Sequence, residues 1–157
     1  YGGPPLGCAA GLPVLDVIED EGLLERAEAI GKRITHRLEE LAARNDLLPI
    51  GHIRGLGAMI AFDMLDGKGS DAVAPNGAKT VTTRAADEGL ILLGCGTYGE
   101  TIRILVPLTA SDAIVDEGLA VAVGGGGGGG SGLLRFGELG LRPCRHDRSG
   151  TRRRCRS

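Results

Sequence analysis

The periodicities along this 157-residue chain predict an α/β (α+β) fold, with helices packed on a small, mainly antiparallel sheet. Three observations carry the prediction. From Leu23 to about Arg44, apolar residues recur every three or four positions, the spacing of one helix face. Residues 50–54 and 58–64 are short strand-like segments joined through R-G-L-G, and the second alternates Ala58, Ile60 and Phe62 with Met59, Ala61 and Asp63. Residues 101–106 alternate again after a further helical stretch and a short apolar run, so strands and helices follow one another in the order helix, helix, strands, helix, strand, strand, helix.

Taken in order, residues 5–21 read as a helix with Leu6, Ala9, Ala10, Leu12, Val14, Val17 and Ile18 apolar. Pro13 falls inside it and would cost a helix interior about 3 kcal/mol unless it marks a kink or boundary. Gly22 separates it from the stronger helix, whose apolar stripe is Leu23, Ala27, Ile30, Ile34, Leu38 and Leu41 and whose end is marked by Asn45 and Asp46. Glu28 with Lys32 and Glu40 with Arg44, each at i,i+4, belong to a solvated face that also carries His36. Gly55 and Gly57 predict a tight turn or a bulge; a dinucleotide loop would need another glycine and a following helix, and a strand follows instead. His52 and Arg54 flank that turn, and Arg54 is a candidate to reach a subunit interface or a ligand.

Residues 66–75 are a loop by composition, and Asn76 can cap a helix over residues 77–88, with Val81, Ala85 and Ala86 on its apolar side and Gly89 past its end. Residues 90–93 form a short apolar strand, and the connection GCGTYGE over 94–100 reads equally as a substrate loop or a plain hairpin turn. Thr109 and Asp112 have the spacing of a capping box for a helix over 110–123 with Ala113, Ile114, Val115 and Leu119 apolar.

Arg103 stands apart because it puts a permanent charge inside an otherwise apolar strand, with Ile102, Ile104 and Val106 on the opposite face. A guanidinium cannot shed its proton, so it reaches solvent, pairs with a carboxylate of an edge-strand salt bridge, or holds an anionic ligand.

The words YGGPPLGCAA, LLPIGHIRGLGAMIAFDM and GAKTVTTRAADEGLILLGCGTYGETIRILVPLT together resemble the C-terminal part of a class III aminotransferase, nearest to the 4-aminobutyrate branch, over residues 1–122. The resemblance implies the small C-terminal domain of a fold-type I, pyridoxal-phosphate-dependent transferase. It implies that Arg103 grips a substrate carboxylate while an amino group moves from 4-aminobutyrate or a related ω-amino acid to 2-oxoglutarate, in a cytoplasmic homodimer. The family's Schiff-base lysine, its pyridine-binding aspartate and its phosphate-binding threonine would lie before Tyr1. Lys32, Lys68 and Lys79 lack the Schiff-base context and read as solvated surface lysines, so the chain alone is expected to be inactive, with no catalytic or cofactor-binding residue of its own. Pro4 also stands where the family usually reads Y-G-G-N-P, removing an amide donor and a polar side chain. The alternatives are a non-catalytic small module that binds carboxylates or a partner, and an inert gene fragment.

Composition divides the chain at residue 123. Residues 1–123 hold 10 Lys+Arg against 18 Asp+Glu, or -8, whereas 124–157 hold 8 Arg against 2 acids, or +6. Seven glycines, Gly124 to Gly130, and the arginine-rich remainder predict a disordered tail, read first as an out-of-frame or truncated C-terminus; a basic nucleic-acid-binding tail, which would lack aromatic partners and a folded frame, and a plain linker are the lesser alternatives. Cys8, Cys95, Cys144 and Cys155 form no C-x-x-C pair and read as free thiols, with no metal site expected from Cys144, His146 and Cys155. No secretory signal or long apolar span points to export or a membrane. The part matching the family would leave apolar surface exposed in isolation, so aggregation or a partly molten state is expected.

Overall fold

The computed structural model describes residues 3–123. The elements run α1 (Pro5–Asp20), α2 (Leu23–Ala43), β1 (Ile50–Leu56), β2 (Met59–Met64), α3 (Gly77–Asp87), β3 (Leu93–Cys95), β4 (Thr101–Leu105) and α4 (Asp112–Val123), the order that the periodicities predict. The four strands form one sheet in the order β1-β2-β4-β3, antiparallel throughout. The expectations for residues 124–157, including the arginine tail and the cysteines Cys144 and Cys155, lie outside the described residues.

Alternation along the strands gives the sheet two unlike faces. One face, with Ile60, Phe62, Met64 and Ile102, is buried against Ile30, Ile34, Leu38 and Leu41 of α2, Ala78 and Val81 of α3, and Val115 and Leu119 of α4. Burying each large aliphatic side chain contributes about 1.5–3 kcal/mol, so this layer carries the fold. Gly31 lets α2 approach closely: a Cβ there would stand 2.0 Å from the Gly57 carbonyl oxygen in the β1–β2 turn. Across the α2–α4 contact, Arg26 donates to Asp112 Oδ1 at 2.6 Å, and Arg33 donates to both Asp112 and Asp116. These ion pairs join the two helices.

Several local expectations shift for identifiable reasons. Helix α1 continues through Pro13, because residues 3–17 are all exposed and water can satisfy the carbonyl that proline leaves unbonded. Glu28 does pair with Lys32, but Glu40 pairs with Arg37, and Arg44 turns to Asp46 beyond the helix end. Lys68 is not a free surface lysine; its ammonium donates to the carbonyls of Ala42, Ala43 and Arg44, the C-terminal carbonyls that α2 leaves unbonded. Asn76 occupies the N-cap of α3 in a left-handed conformation without a capping side-chain bond. The start of α3 is tied instead by the β3–β4 loop: Asn76 N–H donates to Tyr98 O and Ala78 N–H to Gly99 O. The strand expected over 90–93 sits further on, at Leu93–Cys95, sharing only Leu93 with the expected span and running into the loop read as 94–100. Helix α4 begins at Asp112 with Ser111 Oγ accepting the Ile114 N–H at 3.4 Å, so the cap is Ser111 rather than Thr109.

Candidate functional site

The second face of the sheet is open. In register across the strands, Leu56, Met59 and Leu105 form one row, Arg54, Ala61, Arg103 and Leu93 the next, and Asp63, Thr101 and Cys95 the third. Leu56, Met59, Leu93 and Leu105 are all exposed, at 84%, 49%, 45% and 58%. Helix α1 likewise buries none of its residues. An apolar strip of this kind, broken by Arg54 and Arg103, is unlike ordinary solvated sheet surface.

Arg103 sits in β4, which has strands on both sides, so it is not an edge-strand arginine. Its side chain is exposed, and among the described residues its guanidinium makes neither a hydrogen bond nor an ion pair. The salt-bridge alternative open at the sequence level is therefore not realised within residues 3–123.

Asp63, which the sequence showed only as one polar position of an alternating strand, is the polar hub of this face. It is 7% exposed. Arg54 grips it with two bonds, Nη1 to Oδ2 at 3.0 Å and Nη2 to Oδ1 at 2.9 Å. Thr101 Oγ1 donates to Oδ1 at 2.6 Å, and His52 Nδ1 lies 3.0 Å from Oδ2. His52 can reach because β1 bulges between Gly51 and Arg54, placing His52 at φ 49°. Burial alone would raise the Asp63 carboxyl, but the hydrogen bonds from Arg54, Thr101 and His52 outweigh it and hold the group below the usual carboxylate range. Arg54, a candidate to reach a ligand or an interface, is thus committed within the sheet, and its hydrogen bond to Asp63 raises its own pKa further. The signal for this pair was an acid flanked by Phe62 and Met64, facing an arginine across a glycine hairpin.

The rest of the surface offers less. A groove of about 400 Å³ between α2 and the β1–β2 turn is lined by Glu28, Lys32, Thr35, His36, Glu39 and Gly57, and excludes Arg103. Cys8 and Cys95 are free thiols, and no group of metal-ligating side chains occurs among the described residues. No helix among them is long and apolar enough to cross a membrane.

Pyridoxal phosphate, the cofactor implied by the sequence resemblance, finds no fitting lysine. Lys32 is 82% exposed and 3.9 Å from Glu28, Lys68 caps α2, and Lys79 is exposed in the first turn of α3. None belongs to the Arg103 face, so the described residues do not fit the cofactor.

Comparison with known proteins accords with this geometry. The family described as "Aminotransferase class-III" matches residues 1–122. The 5-aminovalerate aminotransferase of Pseudomonas putida is 49% identical over 123 residues, covering 77% of this chain and 28% of that protein. The 4-aminobutyrate aminotransferase of Escherichia coli is 42% identical, again over 77% of this chain and 28% of the relative. A PLP-bound aminotransferase from Vibrio fluvialis superimposes with a TM-score of 0.62 at 29% identity, covering 73% of this chain and 25% of that one. This chain spans little more than a quarter of the relatives' length. By the extent of that match, the chain belongs to the class III aminotransferase family.

Proposed function

We propose that residues 1–123 are the C-terminal region of a pyridoxal-phosphate-dependent aminotransferase. It moves the amino group of 4-aminobutyrate, 5-aminovalerate or a related ω-amino acid to 2-oxoglutarate, with Arg103 gripping a substrate carboxylate. The observation that carries the reading is the free guanidinium of Arg103 on an open sheet face, framed by exposed Leu56, Met59, Leu93 and Leu105. A planar fork of donors matches a carboxylate, and apolar surroundings strengthen the charge-assisted bonds once water is displaced. A second protein surface laid over this face would complete the site. The larger part of such an enzyme would supply that surface and hold the cofactor, which provides the electron sink for amino-group transfer. Exposed α1 and the strip on the open face are the surfaces expected to meet that part and a second copy in a homodimer.

Grafting residues 1–122 in place of the matching segment of the Pseudomonas putida relative should give an active transaminase. Within that chimera Arg103→Met should lower kcat/KM for 2-oxoglutarate by about 10- to 100-fold, the worth of a charge-assisted carboxylate pair. An undiminished kcat/KM would remove Arg103 from substrate binding. The 157-residue chain alone is expected not to transaminate. Incubated with pyridoxal phosphate and borohydride, it should be labelled diffusely over Lys32, Lys68 and Lys79; a single stoichiometric adduct would contradict this.

A further inference from the structure

An unpaired arginine next to a buried carboxylate needs an explanation. Asp63 pairs with Thr101 across β2 and β4, and Ala61 pairs with Arg103, so Asp63 and Arg103 are diagonal neighbours on the same face of adjacent strands. Diagonal neighbours have Cα atoms about 7–8 Å apart, a gap that an arginine side chain spans. Nothing bulky stands between them, since the residue beside Arg103 on β2 is Ala61. Left to itself, Arg103 would fold onto Asp63 and neutralise itself.

Asp63 is already full. An ionised carboxylate offers about four acceptor positions, two per oxygen. Oδ1 takes Arg54 Nη2 and Thr101 Oγ1, and Oδ2 takes Arg54 Nη1 and faces His52 Nδ1. Glu100, the acid that precedes β4, turns back against its own loop, its carboxylate lying beside Gly96 and accepting the Tyr98 N–H at 2.8 Å. We propose that Arg54 is a positioning residue for Arg103: by saturating Asp63 it denies Arg103 an internal partner and leaves that guanidinium available to a carboxylate ligand. The inference rests on the reading of Arg103 as a carboxylate site. Its mechanism is competition for one acceptor, which a merely structural pair would not show.

The test measures how fast Arg103 of the full 157-residue chain reacts with phenylglyoxal, residue by residue, by mass spectrometry. In the parent chain Arg103 should react quickly, and Arg33, held by Asp112 and Asp116, slowly, as an internal reporter of folding. Arg54→Met opens Asp63 and should slow Arg103 about fivefold, the protection of a partly exposed ion pair. Arg54→Met combined with Asp63→Asn removes the captor and should restore the parent rate. Damage to the fold would instead speed Arg33 and would not be reversed by the second change. An Arg103 rate unaltered by Arg54→Met while Arg33 stays slow overturns the proposal, as does failure of Asp63→Asn to restore it. If Arg33 reacts quickly in any of these chains, the same variants are read in the chimera, where Arg54→Met should raise KM for 2-oxoglutarate and the double variant should lower it again; no such reversal overturns the proposal. Glutarate protection of Arg103 in the chimera, where the completed site is present, separates the two ideas. Without protection the carboxylate-site reading itself fails, whereas protection with no effect of Arg54→Met sinks only the positioning role.

Discussion

Replacing Gly31 by alanine is expected to lower the thermal midpoint by about 10 °C, a loss of about 2 kcal/mol, although alanine is the better helix former. The reason is the 2.0 Å separation between a Cβ at Gly31 and the Gly57 carbonyl oxygen. The obstacle is backbone in a tight turn, where Leu56 and Met59 are paired and Gly57 already stands at φ 52°, so it cannot swing aside as a side chain would. Helix α2 must back away from the hairpin, loosening Ile30 and Ile34, both 1% exposed or less. Gly11→Ala is the matched control: its Cβ would meet nothing within 4 Å, so the same change in α1 should leave the midpoint unchanged or slightly higher. Calorimetry of the two variants decides the point, and equal midpoints would mean that α2 and the hairpin are not in close contact.

Asp63→Ala is expected to remove about 3 kcal/mol, because it orphans the buried Thr101 hydroxyl and leaves Arg54 without its bidentate partner. The exposed half of the Arg54 side chain can return to water, which keeps the loss below that of a wholly buried pair. The same hub sets an acid dependence. Since the folded Asp63 carboxyl titrates below its ordinary value, the stability it contributes is complete above about pH 4, where the unfolded chain's aspartate is also ionised. That contribution falls as pH drops through the lower, folded value. Urea midpoints at pH 7 and pH 3 should therefore differ more for the parent than for Asp63→Asn; equal differences would show that Asp63 is not held ionised by its neighbours.

What sequence could and could not show follows from the range of each interaction. The α2 stripe and the alternation in β2 are repeated local signals, and Ile30, Ile34, Leu38, Leu41, Ile60 and Phe62 are all buried as those patterns predict. Arg103 was visible for a similar reason, being a charge where the pattern calls for an apolar residue. Its freedom from an internal partner was not, since that depends on how Arg54 and Thr101, 47 positions apart in sequence, meet at Asp63. The caps moved for the same reason. Lys68 reaches back to the end of α2 from 24 to 26 residues away, and no i,i+3 or i,i+4 rule could announce it. Arg26 and Arg33 look like solvated charges until α4 arrives beside them.

The tether between the α3 start and the Tyr98–Gly99 backbone also bears on the order in which the chain assembles. A helix first turn usually finds its capping partners among its immediate neighbours, so it can form early and alone. Here two N–H groups at the start of α3 await carbonyls more than twenty residues downstream, presented by a loop whose shape depends on β3 pairing with β4. Closing that span costs entropy before any bond is made, so α3 should gain its full protection from hydrogen exchange together with the β3–β4 hairpin, as one cooperative unit.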